Sequence, residues 1–278
     1  MLHTHDYFVS SDGLQLFRQA WLPDGDPRGV VLVIHGLGEH SGRYGHVADR
    51  LAGAGYAVHA LDHRGHGKSN GKRAFVKRYD ELMTDLAQFR RMVEEQHPEL
   101  PLVVLGHSMG GNLAVGHVLD HQDGVAGLAL SGAALKAGDD LSGPQITIFK
   151  AIARVVPGFR PQALSADAIS RDPAVVAAYR DDPLVFTGKI SAGLGAALLE
   201  SMDRFPARYG ELRLPVLIMH GTEDQLTPIE GSRELERLAT NAHVTSHYFE
   251  GLYHEIFNEP EQAEVLDDLV EWLDGVTG

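Results

Sequence analysis

One stretch of ten residues, Leu102-Val103-Val104-Leu105-Gly106-His107-Ser108-Met109-Gly110-Gly111, indicates how this chain folds. It begins as an aliphatic strand, passes through a G-x-S-x-G turn and continues into a helical pattern. Glycines around Ser108 let the backbone turn sharply without a Cβ clash, so that the hydroxyl projects from the turn. The N-terminus of the following helix favours developing negative charge. The stretch therefore predicts a nucleophilic Ser108 at the end of a buried strand, the alternative being an ordinary glycine-rich turn.

Short apolar runs and amphipathic stretches of helix length alternate on both sides of this motif. The further runs that predict buried strands are Val30 to Ile34, Tyr56 to Leu61, Val125 to Leu130, Val216 to Met219 and Val244 to Phe249. The stretches that predict helices are Tyr44 to Ala54, Asp80 to Gln96, Met109 to His121, Glu230 to Ala239 and Pro260 to Leu273. Apolar strands separated by helices are typical of a parallel sheet covered on both faces. Alternation in Tyr7 to Val9 and Leu14 to Trp21 adds an antiparallel hairpin at one edge, so we expect an α/β fold.

The interval between Ala134 and Leu214 interrupts this rhythm. It is about 80 residues long, whereas connections in α/β units usually take 2 to 6 residues. The sequence therefore predicts a core of residues 1–134 and 207–278, with a helical cap inserted at 135–206 over the carboxyl edge of the sheet. Within it, the apolar residues Ile146, Ile148, Phe149, Ile152 and Val155 form either a lipid-docking face or the packing between cap and core.

A serine nucleophile needs a base and an orienting carboxylate. Where the serine lies on a strand–G-x-S-x-G–helix turn, the carboxylate and then the histidine follow later in the chain, each after a strand. Asp224 follows the run that ends at Met219, and Glu223 is the competing carboxylate. His254 follows the last strand. We therefore expect Asp224 to orient His254, which acts as general base.

An oxyanion hole requires two N–H donors, one from the residue after the serine and one from the loop after the first parallel strand. The first is Met109, and the second is predicted to be Leu37 in His35-Gly36-Leu37-Gly38. A phosphate-binding loop is the alternative for this glycine-rich stretch. It lacks a complete G-x-G-x-x-G because Ser41 takes the place of the last glycine, which disfavours a dinucleotide site.

Other motifs that could indicate a nucleotide or a metal are incomplete. Gly67-Lys68-Ser69 resembles the end of a P-loop, but Asp62 stands where the first glycine is required. His254-Glu255 begins like H-E-x-x-H, but Asn258 replaces the second histidine. No carboxylates at ligand spacing accompany the remaining cluster of histidines, which we interpret as structural: His59, His63 and His66. The sequence therefore predicts neither a metal nor an organic cofactor.

Composition restricts the class of protein and of partner. Of the 278 residues 44% are hydrophobic and 22% are charged, as in ordinary globular proteins. A net charge of −14 predicts repulsion of nucleic acids and of anionic membranes. The absence of cysteine excludes disulfides, thiolate zinc sites and a thiol nucleophile. The N-terminal residues lack a basic and an apolar region and the aliphatic runs have strand length, so we expect no signal peptide or transmembrane helix, and a cytoplasmic or peripherally membrane-associated protein.

Together with the serine motif, two further motifs make nearly the whole chain resemble the monoacylglycerol lipases of the α/β-hydrolase superfamily, specifically the bacterial ones. These motifs are His35-Gly36-Leu37-Gly38-Glu39-His40-Ser41-Gly42-Arg43-Tyr44 and Asp62-His63-Arg64-Gly65-His66-Gly67-Lys68-Ser69. The resemblance implies an α/β-hydrolase fold, with a mostly parallel eight-stranded sheet and a mobile cap after the sixth strand. The family often has a smaller residue at Leu37, a difference that affects the shape of the pocket and leaves the backbone donor in place.

The resemblance also implies residues that bind the glycerol head group: Glu39, Arg43, His107 and, from the cap, Tyr179. Glu39 and Arg43 lie four residues apart near a helix start, so they could instead pair with each other. The activity implied is hydrolysis of monoacylglycerol to fatty acid and glycerol through an acyl-enzyme. A broader carboxylesterase or lysophospholipase with the same triad is the alternative, and a non-enzymatic ligand receptor on this fold is a distant one. Because net charge disfavours electrostatic attachment, any contact with membranes or lipid aggregates is expected to be hydrophobic and made through the cap.

Overall fold

A computed structural model describes residues 1–138, 143–160 and 166–278. Its strands are β1 (Leu2–Val9), β2 (Gln15–Leu22), β3 (Gly29–Ile34), β4 (Tyr56–Leu61), β5 (Leu102–His107), β6 (Val125–Ser131), β7 (Val216–Gly221) and β8 (Val244–Phe249). Its helices are α1 (Gly45–Gly53), α2 (Tyr79–Gln96), α3 (Met109–Asp120), α4 (Gly143–Val155), α5 (Pro173–Asp181), α6 (Ala192–Arg204), α7 (Ile229–Leu238) and α8 (Gln262–Thr277). The order along the chain is the predicted alternation of strand and helix.

The eight strands form one sheet in the order β1-β2-β4-β3-β5-β6-β7-β8. β1 and β2 pair antiparallel, β2 pairs antiparallel with β4, and all other neighbouring pairs are parallel. Every residue of β3, β4, β5 and β7 is buried, since helices cover both faces of the sheet. The predicted α/β-hydrolase fold, with an eight-stranded, mostly parallel sheet, is confirmed.

Alternate residues of the strands enter two hydrophobic cores. Val31 and Val33 of β3 pack with α1 and α8 on one face, whereas Leu32 and Ile34 pack with α2 and α3 on the other. Both faces bury large aliphatic side chains, and burial of this kind contributes about 25 cal/mol per Å² of apolar surface removed from water. The sheet is therefore a rigid base that holds the loops at its carboxyl edge.

Helices α4, α5 and α6 lie between β6 and β7, in the interval predicted to hold a cap. Ala153 of α4 packs against Ala192 and Ala196 of α6. The segment around α5 contacts the core loops instead: the N–H of Phe186 donates to the carbonyl of Gly38 at 2.7 Å. These helices thus cover the edge of the sheet where Ser108 lies.

In the part of the chain that the structure describes, no helix has both the length and the apolar character needed to cross a bilayer.

Candidate active site

Ser108 lies at the sharp turn between β5 and α3. Its backbone angles, φ 55° and ψ −120°, are in a region that residues with a Cβ rarely adopt. The turn depends on close approach of the backbone, because a Cβ on Gly110 would collide with the carbonyl oxygen of Ile34 and one on Gly106 with that of Gly110. The predicted nucleophile motif therefore forms a tight strand-to-helix turn that presents Ser108 at the carboxyl edge of the sheet.

Asp224 and His254 form a hydrogen-bonded pair on the loops after β7 and β8. The distance from His254 Nδ1 to Asp224 Oδ2 is 2.7 Å. Asp224 also accepts hydrogen bonds from the N–H groups of Leu226 and Thr227, at 2.8 and 3.0 Å, and from the Thr227 hydroxyl at 2.7 Å. His220 Nε2 lies 3.1 Å from the same carboxylate. The carboxylate is thus fixed by several donors and directs His254 into one tautomer.

Electrostatic interactions shift the pKa values of Asp224 and His254 in opposite directions. Burial alone would raise the pKa of Asp224, but the charge of His254 and the hydrogen bonds from His220 and His254 hold it well below its usual range. Burial would lower the pKa of His254, but the Asp224 carboxylate raises it above 6.5. Asp224 therefore stays ionised and stabilises a positive charge on His254.

Ser108 and His254 both line a cavity of about 160 Å³. The other lining residues are Gly36, Leu37, Glu39, His107, Met109, Ala134, Ile169, Tyr179, Leu198, Leu226, Thr227 and Glu255. Leu37 and Met109 are among the lining residues, and neither of their N–H groups has a hydrogen-bond partner among the described residues. The residues predicted to act as nucleophile, base and oxyanion donors thus lie around one cavity.

Glu39 holds the loop that carries Leu37. Its Oε1 accepts a hydrogen bond from the N–H of Gly36 at 2.5 Å and from the Tyr44 hydroxyl at 2.7 Å. On the other side, His35 Nε2 accepts from the N–H of His63 at 3.0 Å. These contacts fix the backbone directly before Leu37.

Arg43 lies behind the cavity wall, between two carboxylates. Its guanidinium donates to Glu39 at 2.8 Å and makes two hydrogen bonds of 2.7 Å to Glu255. It also lies 4.7 Å from the centroid of the Tyr179 ring, in cation–π contact with the cap. Of the predicted head-group residues, Glu39, His107 and Tyr179 line the cavity itself, whereas Arg43 joins the Leu37 loop, the His254 loop and α5.

Two residues in these networks were given no role by the sequence reasoning. Glu255 is buried directly after His254 and anchors Arg43. Thr227 donates to Asp224 and lies 3.3 Å from His254 Nδ1. Two signals in the sequence could have identified them: Thr227 lies close to Asp224 along the chain, and Glu255 directly follows His254. Glu223, the competing carboxylate, is exposed, and the contact to His254 is made by Asp224.

A larger cavity lies elsewhere. It has a volume of about 630 Å³ and is lined by residues of α2, the end of α3 and the loop before β6, including Arg90 and His117. Ser108 and His254 do not line it, and Arg90 is engaged by the carbonyls of His121 and Asp123. Among the described residues, no three histidine, aspartate or glutamate side chains are arranged to hold a metal ion.

Comparison with known proteins places this chain in a family. Residues 25–261 match the family model described as serine aminopeptidase, S33. The chain is 43% identical to a monoacylglycerol lipase of Mycolicibacterium smegmatis, over 96% of this chain and 95% of that protein. It is 32% identical to the monoglyceride lipase of Homo sapiens, over 96% of this chain and 89% of the relative.

A solved structure extends the likeness to three dimensions. The monoacylglycerol lipase of Paleococcus ferrophilus superimposes with a TM-score of 0.84 at 35% identity, covering 93% of this chain and 98% of that one. The sheet, the serine turn and the sequence similarity thus agree. The chain therefore belongs to the family of serine hydrolases with the α/β-hydrolase fold that includes the monoacylglycerol lipases.

Proposed function

We propose that this protein hydrolyses monoacylglycerol to a free fatty acid and glycerol through an acyl-enzyme. The observation that carries the proposal is Ser108 on its sharp turn beside the His254–Asp224 pair, in one cavity. The 43% identity to a monoacylglycerol lipase supports the choice of substrate.

The reaction uses the three side chains in turn. Ser108 Oγ attacks the ester carbonyl carbon while His254 Nε2 accepts its proton, and Asp224 stabilises the imidazolium. His254 then gives this proton to the leaving glycerol oxygen as the C–O bond breaks. A water molecule, deprotonated by His254, attacks the acyl-enzyme and releases the fatty acid and Ser108.

The oxyanion formed in each half-reaction is stabilised by backbone donors. We assign this role to the N–H groups of Leu37 and Met109, which border the cavity. The loss of one such donor typically costs about 100- to 1,000-fold in kcat. The contacts of Glu39 to Gly36 keep the first donor in place before substrate binds.

The polar end of the cavity suits a glycerol head group. Glu39, His107 and Tyr179 present oxygen and nitrogen atoms there, and burial beside His254 lowers the pKa of His107 to about 3, so that its ring is neutral. A neutral histidine can accept as well as donate a hydrogen bond, as a hydroxyl ligand requires. Arg43, bound to two carboxylates, acts instead by positioning Glu39 and Tyr179.

The acyl chain requires more space than this conformation provides. A volume of about 160 Å³ is below the roughly 300 to 1,000 Å³ of common ligand pockets. Ile169, Tyr179 and Leu198, from the segment 135–206, close the cavity. We therefore propose that this segment is a cap that opens to admit the acyl chain.

The outer face of the cap is suited to lipid. Ile148, Ile152, Val155 and Phe159 are 60%, 44%, 81% and 51% exposed, and their spacing places them along one side of α4 and the turn after it. We call this set the apolar stripe. Phe149 and Ala153 point the other way, into the contact with α6, so the stripe has no partner within the described chain. We propose that it docks on lipid aggregates or membranes, which makes the protein peripheral to them.

The test is release of glycerol from a medium-chain monoacylglycerol, compared with a di- and a triacylglycerol, for the wild type and for Ser108→Ala. Strong preference for the monoester, abolished in Ser108→Ala, is expected. If the wild type ignores all three lipids but its serine reacts with a fluorophosphonate, the triad is correct and the substrate is wrong. If neither occurs, the protein is a receptor on this fold.

A further inference from the structure

Positive charge is segregated along this acidic chain. Three segments, 65–79, 143–160 and 183–199, contain nine of its 24 lysines and arginines and none of its 38 acidic residues. All of the acidic residues are therefore distributed over the rest of the sequence. The net charge of −14 does not describe the local charge of a surface built from these three segments.

The fold brings the three segments together. The N–H of Ser191 donates to the carbonyl of Ala74 at 3.2 Å, which joins the third segment to the first. The guanidinium of Arg160, in the second segment, donates to the backbone carbonyls of Arg73 and Lys189. The result is one surface formed by the core segment 65–79 and two segments of the cap.

Four exposed cations define this surface, which we call the cationic face: Lys72, Lys77, Arg78 and Lys189. In the described part of the chain, none of the four has a carboxylate within salt-bridge distance. Elsewhere, the partly exposed Arg50 and Arg208 are paired with aspartates, at 2.7 Å in each case, whereas the exposed Arg91 and Arg213 have no salt bridge among the described residues either. The four cations are therefore free of direct ion pairs, although Asp80 and Glu200 line the same hollow as Lys77 and Arg78.

The cationic face adjoins the apolar stripe. The ammonium group of Lys72 lies 3.4 Å from the position that a Cβ on Gly158 would occupy, in the turn between Val155 and Phe159. The same ammonium group lies 4.9 Å from the centroid of the Phe75 ring. Lys72 of the cationic face therefore lies beside the apolar stripe.

We propose that the cationic face and the apolar stripe together bind the surface of an anionic lipid bilayer. The lysine and arginine side chains contact headgroup phosphates, while the stripe enters the boundary between headgroups and acyl chains. The acidic remainder of the protein is repelled by the same surface, so attachment also turns the cap toward the lipid. This proposal rests on the proposed function, which gives the protein a reason to bind lipid surfaces.

A soluble polyanion, such as a nucleic acid, is the competing ligand for exposed cations. It would have no use for the apolar stripe, which Lys72 approaches at Gly158. Direct contact between the two kinds of surface therefore favours lipid.

The experiment measures vesicle binding by Ser108→Ala protein, which cannot consume lipid. Co-sedimentation is compared for vesicles of phosphatidylcholine alone and of phosphatidylcholine mixed with phosphatidylglycerol. The test variant adds Lys72→Gln, Lys77→Gln and Arg78→Gln. The control adds Arg50→Gln, Arg233→Gln and Arg237→Gln, which removes the same charge from exposed positions on α1 and α7.

We expect binding to phosphatidylglycerol vesicles that weakens at high salt, and a loss of about tenfold or more in the test variant only. Equal binding to neutral vesicles, or equal losses in both variants, would overturn the proposal. Binding to heparin without binding to vesicles would identify a polyanion site and also overturn it.

Two further measurements separate this inference from the proposed function. With Ser108 restored, the test variant should hydrolyse a soluble short-chain ester at the wild-type rate, because the cationic face lies outside the catalytic cavity. If the protein binds anionic vesicles but releases no glycerol from monoacylglycerol, the docking surface is supported and the proposed substrate is wrong.

Discussion

The side chain of Asp224 is fully buried and accepts hydrogen bonds from Leu226, Thr227 and His254. A buried carboxylate without such donors would take up a proton instead of keeping its charge. The donors from its own loop exist before substrate arrives, so no reorganisation is needed when His254 becomes positive. The proposed mechanism thus depends on a charge that is stabilised in advance.

This dependence predicts the behaviour of Asp224→Asn. We expect kcat/KM for a soluble ester to fall about 10⁴-fold, because an amide favours the wrong tautomer of His254. The acid limb of the pH–rate profile should lie above pH 6.5 in the wild type, since Asp224 raises the pKa of His254. It should move below 6.5 in the variant, where burial acts without the carboxylate. The matched control, Glu223→Gln, should leave rate and profile unchanged, and the same acid limb in all three proteins would contradict this account.

Glu39 can be tested as a positioning residue. Glu39→Ala leaves the N–H of Gly36 and the hydroxyl of Tyr44 without their acceptor. We expect kcat to fall about 10- to 100-fold on monoacylglycerol and equally on an ester without glycerol, because the Leu37 donor is displaced for both. Glu39→Gln, which keeps an acceptor oxygen, should recover most of the rate.

A different result would assign Glu39 to the head group alone. In that case KM for monoacylglycerol would rise in both variants, while hydrolysis of the ester without glycerol stayed at the wild-type level. Steady-state kinetics on the two substrates therefore distinguish positioning from head-group binding.

At the scale of elements, apolar runs predicted the central strands well. Tyr56–Leu61 and Val244–Phe249 have the predicted limits, because turn-forming residues bound each run. β1 begins at Leu2 instead of Tyr7, since His3 and His5 give no apolar alternation. His3 is held there by stacking on Trp21, with ring centroids 4.8 Å apart, a contact across strands that no local pattern contains.

Contacts between distant segments explain what the sequence left open in the site. Arg43 and Glu255 are separated by 212 residues, and their bidentate pair exists only once the turn before α1 and the loop after β8 are assembled. The positions of Ser108, Asp224 and His254 could be predicted from the sequence because each follows a recognisable strand. Pairing partners carry no such marker in a single sequence.

The apolar stripe makes α4 a testable element. We expect Ile148→Ser with Val155→Ser to reduce activity on emulsified or micellar substrate about tenfold, because less apolar surface enters the lipid. Activity on a monomeric short-chain ester should not change. Tyr7→Ser with Val9→Ser, exposed apolar positions on β1, is the control and should behave as the wild type. Normal activity of the α4 variant on micelles would show that the stripe is not a docking surface.

At the scale of the whole molecule, buried histidines dominate the response to acid. His59, His63, His107 and His117 have their pKa lowered to about 3, chiefly by burial. His35 and His66, packed beside His63, are shifted in the same direction. All of these rings are therefore neutral in the native state at a pH where the unfolded chain, with a pKa of about 6.5, already binds protons.

The sign of the effect follows from linkage. Because the folded pKa values are depressed, these histidines contribute stability that is present above pH 6.5 and is lost as the pH falls toward 3. Within that window, each buried neutral histidine lowers the free energy of unfolding by about 1.4 kcal/mol for every unit by which the pH falls. His254 opposes the trend, since its pKa is raised, but it is one group against seven once His97, whose pKa burial also lowers, is included.

We therefore expect the free energy of unfolding to decline from about pH 6.5 downward, well before carboxylates begin to titrate near pH 4. Urea titrations at successive pH values measure this slope, and calorimetry in buffers of different ionisation enthalpy counts the protons taken up on unfolding. His59→Gln removes the ring of His59, which lies against His97 and does not line the catalytic cavity. This variant should show a shallower decline with an unchanged acid limb of activity. A stability that stays constant down to pH 5 would mean that the rings are accessible to protons in the native state.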